Sequence, residues 1–221
     1  MKKNNKKGVI LLSGGLDSAV TLYYARSRGF RPDALIFDYA QRHKKEIEYA
    51  IKLCRLNHID FYTAKIDLGW TKSSLTDSKI VVPLSRNLNK KDIPATYVAG
   101  RNIIFLSYAF SLAESIGAET IFIGAHTCDY SGYPDCRPEF LWNFNQAVNL
   151  GMKDSKIKIS APLIDKSKKD IIKLGLKLKV PFRYTWSCYS GGKKPCLQCD
   201  SCRFRTEAFR RLNIIDPLLR K

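Results

Sequence analysis

Leu11–Val20 reads LLSGGLDSAV. Two glycines, two serines and an aspartate follow directly on an apolar run that begins at Gly8. A bare turn needs less. "GVILLS" (8–13) is short, apolar and bounded by turn residues, as a buried parallel strand is. "DSAVTLYYARSRG" (17–29) reads as a helix ending at Gly29, a glycine C-cap. Adjacent glycines between strand and helix permit positive φ and let a ligand come close to the backbone. A helix opening near Asp17 aims free N–H groups at the turn, and Ser18 adds a hydroxyl, which together make an anion site. The competing reading is a plain strand-to-helix turn with serine and aspartate as caps. The Walker A pattern G-x-x-x-x-G-K-[ST] and the dinucleotide pattern G-x-G-x-x-G are both missing here.

Working outward, "DALIFDY" (33–39) reads as a second strand and "IDFYTAKID" (59–67) as a third. Between them, "RHKKEIEYAIKLCRLN" (42–57) sets Ile47, Ala50, Ile51 and Cys54 at helical spacing. "RNIIFLSYAFSLAESIG" (101–117) is a helix apolar on most faces, expected between the sheet and another layer. "ETIFIGA" (119–125) and "IKISAPL" (157–163) complete five strands, with helices expected in "PEFLWNFNQAVNLG" (138–151) and "KSKKDIIKLGLKL" (166–178). Strand and helix alternate at the spacing of βαβ units. The fold class is α/β, a Rossmann-like doubly wound parallel sheet. From about Gly69 to Ala95 Ser, Asn, Lys and Pro dominate without a period, a long connection of the kind that serves as a lid or substrate loop. We expect residues 1–221 to form one domain, with a small metal-stapled element at 186–205.

The 221 residues carry 38 basic and 20 acidic side chains, a net charge of +18. Such a charge attracts nucleic acid or anionic small molecules. It equally fits lysines spread over a solvated surface, so charge alone does not establish RNA binding. Lys2, Lys3, Lys6 and Lys7 read as a solvated arm, and 153–179 holds nine lysines against three aspartates, many of them on an outer helix face. No apolar run approaches the roughly 20 residues that span a bilayer. "GVILL" is shorter than the about 7 to 15 residues of a signal h-region. A cytoplasmic location is expected.

Four of the seven cysteines, Cys188, Cys196, Cys199 and Cys202, fall within fifteen residues at C-x7-C-x2-C-x2-C. In a cytosolic chain this spacing argues for a metal rather than disulfides. Four thiolates close a tetrahedral Zn²⁺ site with no open position, hence a structural one; an iron–sulfur cluster takes the same ligands. Cys54 reads as core, and Cys136, in a Gly/Pro-rich loop, as either packed or reactive.

The run S-G-G-x-D-S resembles the signature of the ATP pyrophosphatases, the PP-loop superfamily, which cleave ATP between the α- and β-phosphates and adenylate a substrate. The resemblance implies that Leu12, Ser13, Gly14, Gly15, Leu16, Asp17, Ser18, Ala19, Val20, Thr21 and Leu22 bind ATP. Within that run Ser13, Gly14, Gly15 and Ser18 would hold pyrophosphate, and Asp17 would serve Mg²⁺. "FDYAQRHKKE" (37–46), "TYVAGRN" (96–102), "DYSGYPDCRPEF" (129–140), "APLIDKSKKDI" (161–171) and "WSCYSGGKKPCLQCDSC" (186–202) together resemble the QueC family of 7-cyano-7-deazaguanine synthases over nearly the whole chain. Ala40, Ala99 and His126 depart from the glycine, proline and asparagine usual in the family.

That resemblance implies an ATP-dependent ligase that turns 7-carboxy-7-deazaguanine and ammonia into the nitrile preQ0, toward queuosine or archaeosine. It also implies one structural zinc on the four cysteines, and a homodimer with no membrane or direct nucleic-acid partner. Asp17, Arg101 and Lys168 are the catalytic candidates. Arg42, Asp129, Tyr133, Asp135 and Arg137 are candidates for the substrate pocket, a carboxylate accepting from the N–H edge of a guanine-like ring and an aromatic stacking on it. Arginine suits the carboxylate and phosphates by bidentate pairing. His58 reads as surface, with His43 and His126 as lesser pocket candidates. The rival functions are a tRNA-modifying PP-loop enzyme, a zinc-bearing nucleic-acid binder, and a relative acting on a protein or on DNA-linked deazapurines.

Overall fold

The computed structural model describes residues 6–87, 93–127, 133–153 and 156–220. Five strands, β1 (Lys6–Leu11), β2 (Phe30–Asp38), β3 (Phe61–Lys65), β4 (Thr120–Phe122) and β5 (Lys158–Ser160), form one parallel sheet in the order β3-β2-β1-β4-β5. Six α-helices accompany them: α1 (Leu16–Ser27), α2 (Lys45–Asn57), α3 (Arg101–Ile116), α4 (Pro138–Leu150), α5 (Lys168–Lys177) and α6 (Asp200–Arg210). The chain runs outward from β1 to β3, then returns to β4 on the other side of β1. That reversal opens a crevice beyond the carboxyl ends of β1 and β4, where doubly wound sheets bind ligands.

Side chains alternate across a strand, so a strand buried on both faces reads as an unbroken apolar run. In β1 and the residue after it, Ile10 and Leu12 join a core with α1, α2, α5 and α6, while Val9 and Leu11 join a second core with α3 and α4. Helix α3 turns Leu106, Ala109, Phe110 and Ala113 to the sheet and meets α4 through a Phe110–Phe144 edge contact. The expected second layer covers only part of it, because Ile103 and Tyr108 remain exposed. Ser167 caps α5 by accepting from the Asp170 N–H at 3.2 Å.

The lysine arm is corrected at Lys6 and Lys7, while Lys2 and Lys3 lie outside the described residues. Lys6 and Lys7 begin β1, Lys6 pairing with Phe30 of β2 and Lys7 with Arg31. The Lys7 ammonium donates to the Ile116 carbonyl at 3.0 Å. Ala40 takes φ +64, the left-handed conformation that its glycine-like position demands.

The long connection after β3 is tied down by the C-terminal cysteine loop. Leu84 bridges Cys199 antiparallel, Ser85 donates its N–H to Gln198 O at 3.0 Å, and Arg86 pairs with Asp200 at 3.0 Å. Val82 packs with Trp186 and the cysteines. The same loop reaches the glycine turn, since Trp186 donates its N–H to Gly14 O at 2.9 Å.

Candidate active site

The turn between β1 and α1 is built by glycine geometry. Gly14 lies at φ +79, and a Cβ there would sit 2.1 Å from Glu46 O and 2.7 Å from Ala50 N. The first turn of α2 therefore presses directly on the loop. Across the crevice, a Cβ on Gly124 would come within 3.1 Å of Asp17 C and Ser18 N. The chain leaving β4 thus passes tightly against the start of α1. Ser13 Oγ accepts from Gly15 N at 3.2 Å and lies 3.1 Å from Ser18 Oγ. The first helical bond of α1 runs from Ala19 N to Gly15 O. The N–H groups of Leu16, Asp17 and Ser18 stay outside the helix ladder, at its positive end.

A cavity of about 300 Å³ opens over this turn. Leu12, Ser13, Gly15, Leu16, Asp17 and Ser18 line its floor. Along α1 the lining stops at Ser18, and Ala19, Val20, Thr21 and Leu22 are buried in the core beneath. Gly14 turns its carbonyl to Trp186 and its missing side chain to α2.

At the rim, the Lys168 ammonium donates to both Asp17 oxygens, at 2.8 and 2.9 Å, and lies 2.9 Å from His126 Nε2. Burial pushes the Asp17 carboxyl up, but Lys168 and His126 outweigh it and hold Asp17 below the ordinary carboxylate range. Asp17 is therefore ionised at neutral pH. His126, one of the departures from the family pattern, sits inside the site. Arg101, at the start of α3, lies 3.4 Å from the Tyr39 hydroxyl. Burial disfavours its charge, yet Tyr39, Tyr133, Tyr189 and Asp135 more than restore it.

Tyr133 lines the cavity and hydrogen-bonds Thr96 at 2.9 Å. Asp135 is buried and accepts the backbone N–H of Asn102 at 3.0 Å, bracing the first turn of α3 rather than lining the cavity. Arg42 is exposed and donates to the Ser74 and Ile80 carbonyls. Arg137 is the exposed N-cap residue of α4. Asp129 lies outside the described residues. Cys136 does line the cavity, but burial pushes its thiol up to about 12, so it packs as a thiol and is not a ready nucleophile. Cys54 is core and His58 is exposed, as read from the sequence.

Sequence reasoning did not single out Tyr39, Glu46, Arg86, Trp186, Tyr189 or Asp200, all of which line the cavity. Glu46 and Tyr39 fall in a quoted motif, so residue chemistry within "FDYAQRHKKE" was the available signal. His43 also lines the cavity, pressed against Gly191 of the cysteine loop.

The Sγ atoms of Cys188, Cys196, Cys199 and Cys202 lie within 4.8 Å of one another. Cys188 Sγ accepts from the Ser190 and Cys196 N–H groups, and Cys196 Sγ from that of Cys199. Hydrogen bonds from the Cys199 and Cys202 thiols hold the Cys188 thiol well below its usual range. Backbone donors aimed at clustered sulfurs suit thiolates gathered on one metal ion.

A glycine turn at the switch point of a parallel sheet, with a carboxylate–lysine pair at its rim, defines a PP-loop ATP pyrophosphatase fold. The family model described as "Queuosine biosynthesis protein QueC" matches residues 7–213. The chain belongs to the QueC family. The 7-cyano-7-deazaguanine synthase of Trichodesmium erythraeum is 46% identical over 221 residues, covering 96% of this chain and 100% of that one. That of Thermoplasma volcanium is 48% identical over 219 residues, covering 96% and 90%. Among solved structures, the NMN synthetase of Francisella tularensis superposes with a TM-score of 0.52 at 18% identity, covering 96% of this chain and 79% of that one. It shares the fold.

Proposed function

We propose that the chain is an ATP-dependent ligase converting 7-carboxy-7-deazaguanine and ammonia to the nitrile 7-cyano-7-deazaguanine, toward queuosine or archaeosine. The observation that carries the reading is the QueC turn itself, with Asp17 and Lys168 paired above open α1 N–H groups in the cavity. A carboxylate oxygen is a poor leaving group. Transfer of the carboxyl to the α-phosphate of ATP expels pyrophosphate and gives an acyl-adenylate. Ammonia then displaces AMP to form an amide. Adenylation of the amide oxygen by a second ATP, followed by elimination of AMP with loss of the remaining N–H protons, leaves the nitrile. No enzyme nucleophile is needed. The site orients the reactants and meets developing charge with fixed donors.

In this reading Ser13, Gly15 and Ser18 with the α1 N–H groups receive the pyrophosphate. Asp17 would hold the Mg²⁺ that accompanies ATP. Lys168 and Arg101 neutralise the phosphates and the carboxylate, and Tyr133 offers its ring to the deazaguanine. Arg42 and Asp135 brace the surrounding loops, and Arg137 stands exposed at the N-cap of α4. The four cysteines hold one zinc ion, favoured over an iron–sulfur cluster by the family, and residues 186–205 act as a staple within a single unit. Exposed Ile103 and Tyr108 on α3 and Trp142 and Leu150 on α4 suit contact with a second copy of the chain. Among the described residues no helix is long and apolar enough to cross a membrane. A cytoplasmic location accords with clustered reduced cysteines.

The test is one incubation with 7-carboxy-7-deazaguanine, ATP, Mg²⁺ and ammonium. Mass spectrometry should find the nitrile, AMP and pyrophosphate. An unchanged deazaguanine with modification of added tRNA instead would overturn the reading in favour of a tRNA-modifying enzyme.

A further inference from the structure

We propose that Glu46 is the proton acceptor that generates neutral ammonia from ammonium beside the activated carboxyl group; this rests on the nitrile-forming reading above. Glu46 stands in the first turn of α2, the turn that presses on Gly14, and it lines the cavity over the glycine turn. Nitrile formation consumes a neutral amine, while the nitrogen supplied at neutral pH is almost all ammonium. A carboxylate that lines the cavity and is engaged by no hydrogen bond or ion pair among the described residues is the group such a step requires.

The other carboxylates are committed. Asp17 is held by Lys168, Asp200 by Arg86, and Asp135 is turned beneath α3 to Asn102. Among the described residues, no hydrogen bond or ion pair engages the Glu46 carboxylate. The groups facing it are Arg101 from α3, Tyr39 after β2, and Cys188 and Tyr189 from the cysteine loop. Burial pushes its carboxyl up, Arg101 pulls it down and Cys188 adds a smaller push, leaving it at about 7. A base poised near the working pH is the effective one. The charge of Arg101 also disfavours ammonium beside it and favours the neutral amine.

The step balances. Ammonium gives one proton to the Glu46 carboxylate. The freed nitrogen lone pair forms the N–C bond, the C–O bond to AMP breaks, and AMP leaves with that electron pair. A second N–H proton passes to solvent as the amide forms, and Glu46 returns its own proton to solvent.

Hydroxylamine is already neutral at pH 7 and bypasses the step. The experiment compares wild type and Glu46→Gln with ammonium and with hydroxylamine as the amine, over a pH series. The ratio of hydroxylamine to ammonium turnover should rise about 100-fold in the variant. Wild-type turnover with ammonium should level off above about pH 7, while that of the variant keeps climbing with free ammonia. An unchanged ratio with a parallel pH profile overturns the proposal, and a higher KM for the deazaguanine alone would reassign Glu46 to ring recognition. Should Glu46→Gln not fold, Glu46→Asp, which withdraws the carboxylate by one methylene, has to show the same split between amines. Wild type is also tested for pyrophosphate exchange dependent on 7-carboxy-7-deazaguanine. Its absence would overturn the nitrile reading itself, whereas exchange with an unmoved amine ratio would overturn only the role of Glu46.

Discussion

Replacing Gly14 by alanine tests whether the glycine turn works through its conformation or through its contact with α2. Gly14 at φ +79 and Gly29 at φ +82 share the left-handed backbone. A Cβ on Gly29 meets nothing within 4 Å. Gly29→Ala should therefore lose only the left-handed penalty, about 1–2 kcal/mol. A Cβ on Gly14 lands 2.1 Å from Glu46 O, more than an ångström short of ordinary contact at 3.4 Å. The obstacle is helix backbone, so no side chain can swing aside. The first turn of α2 has to retreat by about that distance, and it carries Glu46 and Ile47 into the cavity wall. A misplacement of about 1 Å costs on the order of 10²-fold in rate. Exchange of labelled pyrophosphate into ATP, driven by 7-carboxy-7-deazaguanine, reads the adenylation step alone, and urea unfolding reads stability. We expect Gly29→Ala to exchange like wild type and Gly14→Ala to lose about 100-fold. Equal unfolding losses with full exchange in both variants would refute the reasoning, since α2 would then not be wedged against the loop.

Other perturbations separate the remaining parts. Lys168→Met strips Asp17 of the ammonium 2.8 Å away and, in the proposed reading, removes a donor at the phosphates; exchange should fall about 10²–10³-fold, and exchange within a few-fold of wild type would clear Lys168 of a catalytic part. Cys196→Ser should lose the bound metal by elemental analysis and, with it, the anchoring of Leu84–Arg86, read as faster proteolysis there; full metal content would defeat the four-thiolate site. Arg205→Ala breaks an ion pair with Asp216 whose side chains are both 4% exposed, and should cost about 3–5 kcal/mol of unfolding free energy in urea. Ala40→Gly relieves a residue at φ +64 and should stabilise by roughly 0.5 kcal/mol, the left-handed relief less the added chain entropy.

The strands were legible because a strand covered on both faces must be apolar at consecutive positions, and "GVILL" and "ALIF" are such runs. The glycine turn was legible because few side chains tolerate φ +79 against a backbone oxygen. The ends of elements were not. Lys6 and Lys7 entered β1 because an extended backbone pairs with β2 whatever its side chains, and charge gives no signal against that. Nor could residue type show which way a polar group faces. Asp135 and Glu46 are both acids in quoted motifs, yet Asn102 N–H captures one while the other meets the cavity. Only the crossing of α3 over the 133–136 segment decides it.

The cysteine loop was read as a staple for its own polar sequence, and its contacts give it a wider part. Trp186 N–H holds Gly14 O at 2.9 Å, so the loop fixes the turn from the side opposite α2. Its Tyr189 ring faces Arg101 and Glu46, and Cys199 pairs with Leu84 of the long connection. Each of these contacts joins segments more than eighty residues apart, so none has a local sequence signature. The turn before Asp17 and the groups around Glu46 and Arg101 thus share the cysteine loop as a neighbour. In the proposed reading, a metal closed off by the four cysteines would serve adenylation without meeting a substrate, through the turn its loop holds in place.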